Sequence, residues 1–325
     1  MKISKLSRLV FLPAAVLIAT PSVAQQDYPN RPIRLIVPYP PGGPTDIMGR
    51  LTSDVLAKRL AQNIVVDNRG GAATAIGAEM AARSPADGYT LLVSSETTFA
   101  VNPALKSKLP YHPERDFAPI SLLTTQPYVL AVTLALPVNS VSQLVAYAKA
   151  NPGKLSFGSA GLGGANHLAG EMFKTVAGID MVHVPYKGNG PAIVDLIGGQ
   201  IGLMLGSISS LYPHAMAKKL RILAVASSKR SAAAPEIPTF AEGGVPGYRV
   251  NGWNCLVAPR GTPRHVIKRL NAEIVAGFSQ PEFVARLGKQ SIDPAVGTPD
   301  QLAAYMKSEI ARYRKLIKAI GLTVE

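Results

Sequence analysis

Short runs of aliphatic residues alternate along this chain with amphipathic stretches, a pattern that predicts parallel strands covered by helices. In the helix predicted at 45–60, Ile47, Leu51, Val55 and Leu56 recur near the 3.6-residue period. The elements predicted for the first part of the chain are strands 33–37, 64–66 and 90–93 and helices 45–60 and 75–82. Together they predict one doubly wound half.

The same alternation continues further along the chain and predicts a second half. Its strands are expected at 128–133, 154–157, 181–184, 202–205 and 221–225, and its helices at 141–150, 167–177, 192–197 and 211–218. After a proline- and glycine-rich segment, the pattern predicts a strand at 252–257 and helices at 264–278, 281–288 and 299–320.

The three C-terminal helices have no lobe of their own, so we expect them to pack back on the first half. The chain would then cross twice between halves, which is a natural hinge geometry. The predicted fold is α/β, with two doubly wound lobes joined by a hinge in the manner of a Venus flytrap. Lobe 1 comprises residues 25–125 and 250–325, lobe 2 comprises 126–249, and a ligand cleft lies between them.

The N-terminus has the layout of an export signal. Lys2, Lys5 and Arg8 precede an apolar stretch at 9–19, and small residues end at Ala24. Cleavage after Ala24 would remove the signal peptide 1–24 and place the mature chain in the periplasm. The apolar stretch is shorter than the roughly 20 residues of a transmembrane helix. An uncleaved membrane anchor is the alternative.

Composition narrows the classes of partner. The formal charge falls by three, from +14 to +11, when the signal is removed, and this basic balance indicates an anionic partner. A solvated basic surface attracted to an acidic cell envelope is the alternative. Aromatic residues make up only 6% of the chain and no long basic block occurs, so nucleic acid is not expected. The single cysteine, Cys255, excludes an internal disulfide, and the five histidines lack metal-ligand spacing. Neither a metal nor a cofactor is expected.

A glycine-rich turn at 38–46 lies directly between the first strand and its helix. Gly42 and Gly43 let backbone N–H groups approach a guest, Thr45 is expected to cap the helix, and Asp46 lies in its first turn. A helix N-terminus presents free amides and the positive end of the dipole, so this turn could bind a carboxylate or phosphate. The alternative is a purely structural turn.

A second glycine-rich turn at 157–167 again separates a strand from a helix, now in the other half. Two such turns can face each other across a cleft at the carboxyl ends of the strands. This turn lacks both the dinucleotide and the P-loop patterns. Phe157 stands where a hydrolase elbow needs glycine. A periplasmic hydrolase that uses Ser159 with His167 or His183 remains an alternative, as does a merely flexible loop.

Several short motifs follow one another along the chain. They are the turn 38–46, the segments 87–92 and 158–161, the segment 167–171 to which the latter leads, and the segments 184–188, 198–200 and 258–263. With these motifs the chain resembles the substrate-binding receptors of tripartite tricarboxylate transporters, the Bug family, over essentially the whole mature length. The resemblance implies a two-domain receptor that closes on an organic acid and performs no chemistry. Its implied partners are membrane permease subunits or a sensor, and a monomer suits a closing receptor.

The resemblance also implies which residues contact the ligand, with one carboxylate held by the two turns. The expected ligand-binding residues are Tyr39, Gly42, Gly43, Thr45, Asp46, Ser94, Ser95, Ser159, Ala160, Gly161, Gly164, Asn166, His167, Tyr186 and Gly206.

Three positions depart from the family pattern. Gly202 stands where members often have an acidic residue, and Gly206 stands near the place of an aspartate that can hold a ligand ammonium group. Their lack of an acid argues against an amino-acid ligand. Gly164 stands where a hydroxyl residue is common, so the second turn is expected to hold its ligand more through the backbone.

Overall fold

The computed structural model describes residues 28–231, 234–290 and 292–321, so the predicted signal peptide 1–24 lies outside the described residues. The strands are β1 (Ile33–Val37), β2 (Ile64–Asn68), β3 (Thr90–Ser95), β4 (Phe117–Val132), β5 (Ser156–Ser159), β6 (Val182–Pro185), β7 (Leu203–Ser207), β8 (Arg221–Val225), β9 (Asn251–Pro259) and β10 (Asp293–Pro294).

Ten α-helices are described, and a π-helical turn at Thr97–Val101 leads into the third. They are α1 (Pro44–Leu60), α2 (Ala75–Ala82), α3 (Asn102–Leu105), α4 (Val141–Ala150), α5 (Ala165–Ala177), α6 (Asn189–Ile197), α7 (Ile208–Met216), α8 (Arg264–Phe278), α9 (Pro281–Gly288) and α10 (Pro299–Ile320). Among the described helices, none combines the length and the apolar character needed to cross a membrane.

The strands are hydrogen-bonded in the order β2-β1-β3-β9-β4-β7-β5-β6. At one end β1 pairs in parallel with β2 and β3, and at the other β5 pairs in parallel with β6 and β7. Antiparallel β9 and β4 connect these two units, while β8 and β10 both pair with β4. The alternation of short strands and helices therefore corresponds to two parallel units, one in each half.

Strand β4 is much longer than the strand predicted at 128–133, and that prediction was wrong in extent. It begins at Phe117, pairs with β9 over its first part and with β7 and β8 over its last part. Pro119 and Pro127 prevented the prediction of its full length, because proline is unfavourable inside strands. The register with β9 shifts just after Pro119, where the sheet accommodates that residue as an irregularity.

Separate apolar clusters support the two halves, and a larger one runs through both. In the first half α1, α8 and α9 cover the parallel unit around Leu35 and Phe278, and in the second α6 and α7 pack around Met204. The largest cluster extends from Phe99 through Trp253 to Phe157. A common core therefore underlies the place where the halves meet.

The C-terminal helix α10 was predicted to pack on the first half, and this prediction was incomplete. It contacts β4, the π-helical turn and α3, but it also contacts α5 of the second half. Thr298 and Gln301 form a capping box at its start. Glu309 accepts a hydrogen bond from the indole Nε1 of Trp253 at 3.1 Å, which ties the helix to β9.

Candidate functional site

A cleft lies where the strands of the two halves end, and polar and apolar residues from both halves line it. The lining residues are Tyr39, Pro40, Pro41, Gly43, Pro44, Thr45, Ser95, Glu96, Thr97, Gln126, Tyr128, Ala160, Asn166, Gly188, Asn189, Gly190, Pro191, Ser207, Gly252, Trp253 and Asn254.

The first glycine-rich turn delivers the N-terminus of α1 to this cleft. Gly42 has φ +87°, a conformation that favours glycine, and Gly43 is the N-cap. The prediction that Thr45 caps the helix was wrong: α1 starts at Pro44, and Thr45 lies within its first turn. Proline fits there because its missing N–H is not needed. The N–H groups in the first turn of a helix have no intrahelical partner, and Thr45, which carries one of them, lines the cleft.

Asp46 supports the first turn from outside the cleft lining. Its carboxylate accepts hydrogen bonds from Gly42 N at 2.9 Å, from Asn68 Nδ2 at 2.9 Å and from Arg50 Nε at 3.1 Å. Burial raises the pKa of Asp46, but these hydrogen bonds and the Arg50 charge outweigh burial and hold the pKa below its usual value. The structure thus places Asp46 as a brace for the turn.

The second turn delivers the N-terminus of α5 to the same cleft. Gly164 is the N-cap, without a side-chain capping bond, and Asn166 lines the cleft from the first turn of the helix. Asn166 Nδ2 donates to Leu205 O at 2.6 Å. A Cβ atom on Gly206 would lie 3.3 Å from that nitrogen. Gly206 therefore makes room for Asn166 and does not itself line the cleft.

Ser159 and two histidines lie behind the second turn. Ser159 is fully buried, and its Oγ lies 2.6 Å from His183 Nε2. The rings of His183 and His167 stack with centroids 3.8 Å apart, and His167 Nδ1 accepts a hydrogen bond from Gly163 N at 3.0 Å. Burial lowers the pKa of both histidines, that of His183 to about 3. Neither Ser159 nor either histidine is among the cleft-lining residues.

Two further helices also begin at the cleft, and the sequence interpretation missed both. Gly188 is the N-cap of α6 and Ser207 is the N-cap of α7, and both residues line the cleft. The helix dipoles of α1, α5, α6 and α7 therefore all contribute positive potential there. The Tyr-Lys-Gly motif was the sequence feature that could have identified Gly188 as a cleft residue. For Ser207 the only such feature was a serine after a predicted strand.

Glu96 is another residue that the sequence interpretation missed. Of the described residues that line the cleft, it alone carries a charged side chain. Its Oε1 accepts a hydrogen bond from the Tyr128 hydroxyl at 2.7 Å, and its Oε2 accepts one from Trp253 N at 3.0 Å. Burial raises the pKa of Glu96. Glu96 directly follows β3, and this position at the carboxyl end of a strand is the sequence feature that could have identified it as a cleft residue.

Two amide side chains in the lining keep unused hydrogen-bonding groups. Gln126 Oε1 accepts from Ser209 Oγ at 2.6 Å, and within the described ranges its Nε2 donates to no other group. Asn254 is 2% exposed, and no described residue hydrogen-bonds to its Oδ1. The cleft thus offers both donors and acceptors to a guest. No cluster of three metal-ligating side chains occurs in the part of the chain that the structure describes.

The structure brings six of the fifteen predicted ligand-binding residues to the cleft lining: Tyr39, Gly43, Thr45, Ser95, Ala160 and Asn166. Tyr39 and Ser95 are joined there through their hydroxyl groups at 2.8 Å. The predicted residues outside the lining are Gly42, Asp46, Ser94, Ser159, Gly161, Gly164, His167, Tyr186 and Gly206.

Two of the residues outside the lining face a neighbouring cavity. Gly161 and Tyr186 line it together with Lys106 and Lys187. The Tyr186 hydroxyl donates to Asp195 Oδ2 at 2.7 Å, and burial together with this bond raises the pKa of Tyr186 to about 12. Because Tyr39, Pro40, Ala160 and Gly188 line both spaces, the two cavities adjoin.

Comparison with known proteins shows to which protein family this chain belongs. The family model for the tripartite tricarboxylate transporter family receptor matches residues 48–322. The chain belongs to this receptor family. Protein BugT of Bordetella pertussis is 38% identical over 305 residues, which cover 94% of this chain and 93% of BugT. The family resemblance predicted from the motifs is therefore confirmed.

Solved structures confirm the predicted fold class, that of the periplasmic binding proteins. R. palustris Rpa4515, solved with adipate, matches this receptor with a TM-score of 0.90 and 36% identity, covering 91% of this chain and 99% of Rpa4515. MatC from Rhodopseudomonas palustris, solved with malate, matches with a TM-score of 0.84 and 32% identity, covering 89% of this chain and all of MatC. This receptor therefore shares its architecture with solute-binding proteins.

Proposed function

We propose that this receptor captures a small carboxylate in the periplasm, with one carboxylate group held between the N-termini of α1 and α5. The observation that carries the proposal is the convergence of these two uncapped helix ends on one cleft. Related receptors with bound adipate and malate support it. The cleft contains no lysine or arginine among its described lining residues, so backbone amides and dipoles would supply the attraction.

Such a site would bind strongly enough for capture and weakly enough for release. Each hydrogen bond to a charged group contributes about 1.5–3 kcal/mol. A few of them, less the cost of ordering the partners, correspond to a micromolar Kd, about −8 kcal/mol. The hydroxyls of Thr45 and Ser95 and the free Nε2 of Gln126 are the side-chain donors that we assign to the ligand.

We assign the remaining predicted residues to supporting roles. Asp46 holds the first turn through Gly42, His167 holds the second turn through Gly163, and Gly206 leaves space for Asn166. In this assignment they position the two turns, while Tyr39, Gly43, Thr45, Ser95, Ala160 and Asn166 contact the ligand.

We infer that the receptor closes about a hinge between lobe 1 (25–125 and 250–325) and lobe 2 (126–249). Support comes from β4 and β9, which run side by side where the chain crosses between lobes: Gln126 pairs with Gly252 and Pro127 with Asn251. Between the lobes, Ala165 N donates to Thr97 Oγ1 at 3.4 Å. Two adjacent crossing strands form a compact hinge. X-ray scattering profiles that are identical with and without saturating ligand would contradict closure.

Capture without turnover is the expected activity, with delivery to permease subunits of a tripartite transporter or to a sensor. The hydrolase alternative needs Ser159 to reach the ligand, yet its hydroxyl is buried behind the turn and bonded to His183 and Gly161. We expect a monomer, exported after removal of residues 1–24. Recovery of the bound acid unchanged after prolonged incubation would support the receptor over the hydrolase.

A thermal-shift screen of residues 25–325 against mono-, di- and tricarboxylates, amino acids and amides tests the carboxylate proposal. A ligand at 100 times its Kd should add about 2.7 kcal/mol of stability and raise the Tm by a few degrees. Thr45→Trp should abolish the ligand-induced Tm shift, because the larger side chain fills the space beside the N-terminus of α1. An absence of any shift with every acid tested would reject the proposal.

A further inference from the structure

We propose that the cleft selects a zwitterion, a small carboxylate that also bears an ammonium group, and that Glu96 and Asn254 form the ammonium site. This inference rests on the proposed function, because the carboxylate of the same ligand would lie at the helix N-termini.

The charge distribution of the cleft carries the first step. Glu96 is the one charged side chain among its described lining residues, and the nearby Lys106 and Lys187 line the adjoining cavity instead. The helix ends can hold one carboxylate. A second carboxylate on the ligand would meet no basic side chain in this lining and would lie in the same small space as Glu96. Two carboxyl groups in one partly desolvated site disfavour each other's ionised form. An ammonium group would instead favour the ionised form of Glu96, which burial alone disfavours.

The second step is the fixed orientation of Glu96. The Tyr128 hydroxyl and Trp253 N bind one carboxylate oxygen each, and Glu96 is 5% exposed. A carboxylate has about four acceptor positions in all, so Glu96 keeps acceptor capacity for a guest. Glu309, whose charge also acts on Glu96, is paired with Arg312 at 2.7 Å and does not line the cleft. Among the described residues Glu96 has no cationic partner, so it is a preorganised acceptor.

Asn254 supplies the third step, which is independent of charge. It lies on β9 opposite Ser95, the residue before Glu96, and both Asn254 and Glu96 line the cleft. Asn254 is almost fully buried, and its Oδ1 has no partner among the described residues. In the same described part of the chain Asn189 Oδ1, in the wall contributed by lobe 2, is also unpaired. A buried acceptor without a donor is unfavourable. An ammonium group has three N–H donors and would satisfy Glu96 and Asn254 together.

This inference differs from the expectation drawn from the sequence, that the glycines at 202 and 206 argue against an amino-acid ligand. An acid at position 206 would come from lobe 2, and there Gly206 instead makes room for Asn166. Glu96 provides an acid from lobe 1 on the other side of the cleft.

The test compares matched ligands on the unmodified mature receptor by isothermal titration calorimetry. Amino acids with the amino group at the α or the terminal carbon, three to six carbons long, are each paired with the dicarboxylate and the unsubstituted monocarboxylate of equal length. We expect at least one amino acid to bind about 10-fold or more tightly than both of its partners. A dicarboxylate that binds more tightly than every amino acid would overturn the zwitterion inference but support carboxylate capture. If no acid of any kind binds, the proposed function itself fails.

Two variants locate the ammonium site. E96Q keeps the size of the side chain but removes the charge, and it should weaken amino-acid binding about 10-fold or more while dicarboxylate binding is unchanged or improved. E309Q is the matched control, because Glu309 is also a buried acid bonded to Trp253 but lies outside the lining. An amino-acid preference that survives E96Q overturns the role of Glu96. The comparison on the unmodified receptor stands even where a variant fails to fold.

Discussion

Nε2 of His183 lies 2.6 Å from Oγ of Ser159, and this pair anchors the second glycine-rich turn behind the cleft. The same distance would suit a nucleophile and its base. However, the serine is fully buried and its hydroxyl also donates to Gly161 O at 3.0 Å. The pair therefore holds the strand end and the turn in place.

His183 should make the receptor sensitive to acid. Its pKa is lowered from 6.5 to about 3 by burial first and then by the charges of His167 and Lys174, so the unfolded chain binds this proton more readily than the folded chain. The stabilisation is present above pH 6.5 and is lost as the pH falls from 6.5 towards 3. H183Q should show a smaller loss of Tm over this range than the unmodified receptor.

The exposed His265 provides the matched control for that experiment. H265Q should keep the acid sensitivity of the unmodified receptor. Equal Tm losses in H183Q and the unmodified receptor would contradict the role given to His183.

Gly42→Ala should destabilise the receptor and weaken ligand binding. Gly42 has φ +87°, and a Cβ atom there would meet nothing within 4 Å, so the cost is conformational, about 1–2 kcal/mol. Gly288→Ala is the control, since its Cβ is also unobstructed but its backbone is helical. Thermal unfolding should show a Tm lowered by a few degrees for G42A alone. Equal Tm values for both variants would refute the account.

Gln126→Leu should weaken carboxylate binding about 10-fold, because it removes the free Nε2 donor from the cleft. Ser209→Ala separates this effect from packing: it removes the hydrogen bond to Gln126 Oε1 but leaves Nε2 in place. Calorimetry should find nearly normal affinity for S209A. Comparable losses of affinity in both variants would show that the Ser209 bond, and not the donor, matters.

Trp253 should report ligand binding directly. It is the sole tryptophan of the chain, it lines the cleft, and its backbone N–H binds Glu96. Ligand entry changes the charge environment of Glu96 and of the Trp253 backbone that binds it, so the intrinsic emission should shift with a saturable dependence on ligand concentration. The signal should be lost in W253F, although calorimetry still detects binding. Emission that stays constant while calorimetry records binding would contradict this prediction.

Much of the fold was predictable because the relevant signals are local. Aliphatic runs such as 33–37 and the apolar spacing of 45–60 reveal strands and helices within a few residues, and both are confirmed. The two glycine-rich turns were found in the same way. Strand β4 was largely missed because Pro119 and Pro127 interrupt its local signal, and only pairing with β9 shows that it continues.

The sequence by itself determined the family, the alternating α/β elements and the two helix ends that face the cleft. Only the tertiary structure decided which side chains line that cleft. Glu96, Gln126 and Asn254 come from three different strands or strand ends, and they meet because β9 lies between β3 and β4 in the sheet. Conversely, Asp46 and His167 sit in the predicted turns but bind the turn backbone from behind. Residue spacing specifies neither strand pairing nor the side to which a turn residue points, because both depend on contacts between distant parts of the chain.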